Sequence, residues 1–208
     1  MDIQVFSLGP LSTNCFLLSH EGKAVVVDAG GDPARVVAHI KNNSLELTHI
    51  LTTHLHCDHI YGNKALQYAT GAPILANPED EFLMQTEVGG GGLMGLPMVD
   101  TFTYEPLAAG ETSFMGLNCT VLHTPGHTPG SLSFYFPEAG AVFTGDLLFR
   151  RSIGRTDFPG GDMEALLASV RGKIFSLPEE TVVYSGHTPP TTVGEEKHHN
   201  PFLGVFQP

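Results

Sequence analysis

Apolar and polar positions along the first third of the chain fall into short runs bounded by turn residues. Ile3 to Leu8, Asn14 to Leu18 and Ala24 to Val27 read as strands, the last running into Asp28-Ala29-Gly30. Val36, Val37 and Ile40 then recur at helical spacing, with Asp32 placed to cap them and Pro33 at the first helical position. Leu47 to Leu51 predicts a strand that runs into Thr52-Thr53-His54. A helix over about Asn63 to Tyr68 follows, then a strand over Pro73 to Ala76 and a helix capped by Asn77 with Pro78 first.

The periodicity breaks at four consecutive glycines, Gly89 to Gly92, inside a Met- and Gly-rich stretch that runs to about Met98. This stretch predicts a mobile loop or lid rather than an element. Strands resume near Thr112 to Met115, Cys119 to His123, Ser131 to Phe136 and Ala141 to Phe143. A helix over Asp162 to about Val170 precedes a last strand at Thr181 to Tyr184. Both halves therefore contain strands followed by a helix and a further strand, without enough sequence similarity to establish a repeat. The mixture predicts an α/β fold with helices covering the outer faces of sheet.

Composition narrows the class. A chain of 208 residues buries roughly 70% of the surface its unfolded form exposes, enough for one domain over 1–208. Hydrophobic content of 41% against 15% charge excludes a disordered chain. Ten Lys and Arg face 22 Asp and Glu, a net charge of −12, which argues against nucleic-acid and anionic-membrane partners. Cys15, Cys57 and Cys119 form no CxxC pair and no disulfide framework, and the N-terminus shows no signal peptide. No apolar run approaches the ~20 residues of a membrane helix. A cytoplasmic location is expected. The 11 histidines exceed Lys and Arg together, and neutral imidazole is the commonest metal ligand.

Those histidines are not scattered. His54-Leu55-His56-Cys57-Asp58-His59 places four metal-competent groups, His54, His56, Asp58 and His59, directly after an apolar strand. In an extended segment His54 and His56 share a side, while Asp58 and His59 come where the chain turns into a helix. That spacing suits two adjacent ions better than one. His127, Asp146 and His187 are each the first ionisable side chain beyond an apolar β segment, and each follows a glycine. Strand-end loops are where α/β folds place their sites. Together these residues supply seven candidate ligands.

The HxHxDH run with later single His, Asp and His resembles the metallo-β-lactamase superfamily of metallohydrolases. More narrowly it resembles the small glyoxalase II-like hydrolases, relatives of hydroxyacylglutathione hydrolase. Val26 to Gly30, Thr124 to Gly130, Phe143 to Asp146, Gly154 to Phe158 and Asn200-Pro201-Phe202 extend the likeness over nearly the whole chain. The resemblance implies a four-layered αβ/βα sandwich and two divalent metal ions, zinc leading, with iron or manganese as options. It puts His54, His56 and His127 on the first ion, Asp58, His59 and His187 on the second, and Asp146 between them. It implies hydrolysis of a small-molecule acyl substrate, a thioester first, by a water that the ions activate. Asp58 is expected to double as a catalytic group that hydrogen-bonds the attacking hydroxide. Rival readings are an iron persulfide dioxygenase using His54, His127 and Asp146, a lactonase, and a non-enzymatic metal-binding module. A diiron electron-transfer member is disfavoured, because those carry Glu where this chain has His56. Glyoxalase II enzymes also carry a C-terminal helical domain with glutathione-binding groups, whereas this sequence stops at Pro208. The acyl group and thiol carrier stay open.

Other residues have weaker expectations. Asp28 either orients a ligating histidine or simply forms a turn. Arg150, Arg151 and Arg155 could meet an anionic substrate, although Arg155 is better placed to pair with Asp157. Cys57 is expected to be a packed thiol pointing away from the ligands. His20, His39, His49, His123, His198 and His199 have no spacing that recruits them.

Overall fold

The computed structural model describes residues 1–203; the last five residues of the span assigned to one domain lie outside the described residues. Two six-stranded sheets organise it. The first runs in chain order: β1 (Asp2–Leu8), β2 (Thr13–His20), β3 (Lys23–Val27), β4 (Glu46–Leu51), β5 (Ile74–Ala76) and β6 (Glu105–Pro106). Its first two pairings are antiparallel, and β3 to β6 are parallel.

Strands β7 (Gly110–Phe114), β8 (Leu117–His123), β9 (Leu132–Phe136) and β10 (Ala141–Gly145) form most of the second sheet. It is completed by β13 (Val182–Ser185) and β14 (Thr191–Thr192) in the order β14-β13-β10-β9-β8-β7. Only β10 and β13 are parallel there. A small hairpin, β11 (Leu148–Phe149) and β12 (Ser152–Ile153), stands apart. Each sheet thus combines an antiparallel ribbon with parallel pairs, which need long crossovers that bring helices onto the outer faces.

Three apolar clusters account for the layers. Phe16, Leu18, Val25, Val27 and Leu51 of the first sheet meet Val121, Phe134, Phe136 and Phe143 of the second. The opposite face of the first sheet, including Leu17, Val26 and Ile50, packs on Val36, Ile40 and Leu66. These come from helices α1 (Ala34–Asn42) and α3 (Asn63–Thr70). Val142 and Val183 of the second sheet pack on Leu166, Val170 and Val193, from α5 (Met163–Ser169), its π-helical continuation Val170–Ile174, and α6 (Val193–His199). The alternation of strand residues between two buried faces produces the expected αβ/βα sandwich. Among the described residues no helix is long and apolar enough to cross a membrane.

Local signals mostly act where expected. Asp32 accepts from the amide of Ala34 at 3.0 Å, and Asp162 accepts from Ala165 at 3.0 Å. Asn77 caps as expected, but Pro78–Gln85 closes as a 3-10 turn. Two expectations need correction. The segment after Thr86 is not wholly loop: α4 (Glu87–Gly90) forms there, with the Thr86 hydroxyl accepting from Gly89. Gly89 permits this because a Cβ would sit 2.4 Å from the Leu83 carbonyl oxygen and 2.8 Å from that of Leu55. Nor is the strand near residue 184 the last element, since β14 and α6 follow it. Helix α6 has Val193 as its one large apolar side chain, so it carries no 3.6-residue stripe. Thr192 caps it through the amide of Glu195 at 3.2 Å, with Glu195 and Glu196 in its first turn and Lys197, His198 and His199 in its last.

Phe143 lies between the sheets, its ring 5.1 Å from those of both Phe16 and Tyr184 and 6.1 Å from that of Phe136. Phe143→Ala should cost about 3–5 kcal/mol. Urea unfolding should show a lowered midpoint with an unchanged slope.

Candidate metal centre

The parallel strands share a direction, and their C-terminal ends collect the polar residues. Val27 is followed by Asp28, and Leu51 by Thr52-Thr53-His54. Asp146 follows β10, and His187 stands two residues after β13. This is where open α/β sheets place ligands. His127 arrives from the β8–β9 loop. Strand geometry persists through His56, whose backbone is still extended, and α2 (Cys57–Ile60) then swings Asp58 and His59 inward.

All seven residues singled out in the sequence converge. His54, His56 and His127 form one group of donors; His54, His59 and Asp146 form another; Asp58, His59 and His187 form a third. Within each group the donor atoms lie within 4.8 Å of one another. His59 Nε2 is 3.4 Å from Asp146 Oδ1, and His187 Nε2 is 3.4 Å from Asp146 Oδ2 and 3.1 Å from Asp58 Oδ2. Gly186 allows this approach, because a Cβ there would stand 2.2 Å from Asp146 Oδ1 and 2.6 Å from His59 Cε1. His20, His39, His49, His123, His198 and His199 belong to none of these groups, as expected.

A second layer selects which ring atoms face inward. Asp28, held at φ +58°, accepts from the Thr53 amide at 2.8 Å and the Thr53 hydroxyl at 2.7 Å, and its Oδ2 is 2.9 Å from His59 Nδ1. The Thr53 hydroxyl, already donating, is left to accept from His54 Nδ1 at 3.0 Å. His127 Nδ1 donates to the Arg155 carbonyl at 2.8 Å. With Nδ1 engaged on each of these rings, Nε2 is the atom turned toward the cluster. Of the two readings of Asp28, orienting a histidine is the one realised.

Those inward atoms test whether a cation fits. His54 Nε2, His56 Nε2, His59 Nε2 and Asp146 Oδ1 are buried without a hydrogen-bond partner. Buried polar atoms are rarely left so. His127 Nε2 and His56 Nδ1 converge to 2.9 Å, a distance at which two lone pairs need a proton or a cation between them. Imidazole and carboxylate donors at this density suit divalent transition ions.

The electrostatics agree. Burial holds His56 down to about 3 and His54 well below the usual imidazole range, so both rings stay neutral. Burial would lower His59 and His187 too, but the surrounding carboxylates outweigh it. His59 is held well above its ordinary value by Asp146, Asp58 and Asp28, and His187 is pushed up to about 9 by Asp146 and Asp58. In the chain alone, protons on these two rings supply the positive charge that the acids demand.

Sequence reasoning missed one functional carboxylate. Asp80 is wholly buried and accepts from the Leu55 amide at 3.2 Å, the Thr128 hydroxyl at 2.7 Å and the Gly130 amide at 2.6 Å. It ties the loop bearing His54 and His56 to the loop bearing His127. Its neighbourhood in sequence, Asn77-Pro78-Glu79-Asp80, looks like an ordinary acidic first helical turn. Cys57 is buried, as a packed thiol should be, yet it lines the cleft beside His56 and Asp58, because α2 begins there and strand alternation no longer applies.

Comparison with known proteins agrees with this architecture. The family model described as the metallo-beta-lactamase superfamily matches residues 8–187. A hydroxyacylglutathione hydrolase, GloC, of Haemophilus influenzae is 37% identical, with 98% of each chain covered. The crystal structure of BLEG-1 B3 metallo-beta-lactamase superposes with a TM-score of 0.92 at 37% identity, covering 98% of this chain and 100% of that one. A protein solved in a di-iron-bound form, TTHA1623, has a TM-score of 0.87 at 38% identity, covering 96% and 100%.

Asp80→Ala should destabilise the fold by about 2–4 kcal/mol, because it strands buried donors on two loops. Asp80→Asn, which keeps one acceptor oxygen, should lose less. Melting of the two variants beside wild type checks the order, and equal melting temperatures for all three would refute the tie.

Proposed function

The chain belongs to the metallo-beta-lactamase superfamily, and from that premise we propose that it is a dinuclear metal-dependent hydrolase acting on thioesters. The observation that carries this reading is the set of buried, unpartnered imidazole nitrogens facing an unpartnered Asp146 oxygen. His54, His56 and His127 would hold one ion, Asp58, His59 and His187 the other, and Asp146 would lie between both. Zinc suits these donors; the di-iron form of a relative keeps iron in view. Bound ions supply Lewis acidity, which brings the pKa of water near neutrality and polarises the scissile carbonyl.

The chain's own groups do the rest. Asp28, Thr53 and the Arg155 carbonyl keep the rings in the tautomer that faces the cleft. Asp58 accepts from the Thr13 hydroxyl at 3.1 Å. Burial would raise its pKa, but His59 and His187 hold the carboxyl down to about 2. Asp58 therefore stays a carboxylate at neutral pH, suited to orienting a water by hydrogen bond rather than storing its proton. No Ser or Cys nucleophile is needed: burial raises the Cys57 thiol, and Asp58 adds to the effect. Free Cys15, Cys57 and Cys119 fit a reducing, cytoplasmic setting.

Metal analysis with a thioester assay tests the proposal. Wild type should carry close to two ions per chain. His187→Ala should lose about one of them and on the order of 10²-fold in turnover. One ion or fewer after incubation with excess zinc, iron or manganese would end the dinuclear reading. Oxygen uptake driven by glutathione persulfide would favour the dioxygenase instead.

Removing the metal generates a pH prediction. His187 sits at about 9 in the chain alone against 6.5 ordinarily, so a cation must displace its proton at neutral pH. Apparent zinc affinity should rise with pH between 6.5 and 9, and calorimetry in buffers of different ionisation heat should detect proton release. A raised folded-state pKa stabilises the fold fully below 6.5 and loses that contribution as pH climbs through 9. Chelator-stripped protein should therefore lose stability across that window, while zinc-loaded protein should not.

A further inference from the structure

The cleft above the cluster measures about 520 Å³. Its floor is polar, formed by His56, Asp58, His127, Asp146 and His187. Its walls are apolar. Val88, Leu93 and Leu96 come from α4 and the segment after it, with Met94 standing 95% exposed at the rim. Phe149 and Ile153 come from the β11–β12 hairpin, and Phe158 follows shortly after. None of these wall residues belongs to either large sheet.

Cationic groups are nearly missing from this cleft. Of the ten Lys and Arg, Arg155 alone lines it among the described residues. Its guanidinium is occupied: Nε and Nη2 donate to the two Asp157 oxygens at 2.6 Å each, and the group lies 3.8 Å from the centre of the Phe158 ring. The hydrogen bonds from Arg155 hold Asp157 down to about 2, so its carboxylate offsets the guanidinium charge at neutral pH. Arg150 and Arg151 face a separate surface hollow with Thr191 and Glu195, where Arg151 Nη2 donates to Glu195 at 2.9 Å. The three arginines that could have met an anionic substrate are thus paired or turned elsewhere.

A glutathione thioester carries two carboxylates. Moving them against apolar walls whose one cationic side chain is already paired removes their hydration and returns no ion pair there. An alkyl chain gains from the same walls. We infer that the cleft selects thioesters with an apolar acyl chain on an uncharged thiol carrier, in preference to acyl-glutathione. This rests on the hydrolase reading of the same site. In the reaction, the water oxygen bonds to the acyl carbon, the C–S bond breaks and the sulfur leaves with a proton as free thiol. The products are a carboxylic acid and a thiol.

Binding of thioethers, which cannot be hydrolysed, separates selectivity from catalysis. Titration calorimetry on metal-loaded protein would use S-hexyl-N-acetylcysteamine, S-methyl-N-acetylcysteamine and S-hexylglutathione. The hexyl form should bind at least about tenfold tighter than the methyl form on the neutral carrier. S-hexylglutathione should bind about tenfold more weakly than its neutral counterpart. Met94→Arg, at an exposed rim position, should narrow that last gap. Equal binding of hexyl and methyl forms, or tighter binding of S-hexylglutathione by wild type, would overturn the inference. Turnover of S-hexanoyl-N-acetylcysteamine is read separately. Its failure, with the binding order intact, would count against the hydrolase reading and leave the apolar selectivity standing.

Discussion

Asp146 lies among three imidazoles, with His59 and His187 nitrogens 3.4 Å from its oxygens and His127 3.7 Å away. A carboxylate so enclosed is tenable only if positive charge surrounds it, and the same holds for the neutral rings that need something to accept their lone pairs. The cluster therefore demands that residues distant in sequence arrive together with little tolerance. His59 is bound to a four-residue helix, Asp146 to the end of β10 and His187 to the turn after β13. Each approach is tight enough that Gly186 admits no side chain.

That tolerance is set by packing elsewhere. Strand β10 carries Phe143 into the layer between the sheets and, three residues on, Asp146 into the cluster. Its parallel partner β13 carries Tyr184, stacked on Phe143 at 5.1 Å and 15° between ring planes, and then His187. This stack between paired strands, with Phe16 of the first sheet against both rings, braces two strand ends whose next residues meet over the cluster. On the first sheet, Asp28 spans the ends of β3 and β4 by accepting from Thr53, so backbone pairing and ring orientation are settled by the same carboxylate. Interdigitated cores resist small displacements, and that stiffness is what a site of converging donors requires.

Much of this was legible in the residues. Alternation revealed the main strands because each sheet is buried on both faces or packed on one. HxHxDH stood out because its groups crowd six positions next to a strand. What escaped reading lacked a periodic or compositional mark. Helix α6 is held by Thr192 and by the buried Glu196, which accepts from the Arg151 amide at 2.8 Å and the Thr191 hydroxyl at 2.7 Å, not by an apolar stripe. Helix α4 depends on a glycine fitting between carbonyls, and Gly89 looks like its three neighbours until the fold brings Leu55 and Leu83 near. Asp80 reads as an ordinary helix-start acid, since its partners are 25 to 50 residues away. The pairing of Arg155 with Asp157 was legible because the two lie two residues apart, whereas that of Arg151 with Glu195, 44 residues away, was not.

The separation between floor and walls has a consequence for how this scaffold changes its substrates. The polar floor hangs on strand ends and on Asp28 and Asp80, so a substitution there disturbs loops, rings and sheet spacing at once. The walls come mainly from residues 87–98 and from the stretch after β10, segments that lie outside both large sheets. Leu93, Met94 and Leu96 are exposed or half-exposed and can be exchanged with small effect on the cluster, whereas Val88 and Ile153 are buried. Proteins that share this backbone closely bear names of different substrates at the same level of identity. A floor that fixes the bond to be attacked, with walls free to choose what is attached to it, accounts for that pattern. Here the walls are hydrocarbon and the nearest cation is already paired. The selectivity inferred for this cleft rests on burying apolar surface, because most of its wall side chains are apolar.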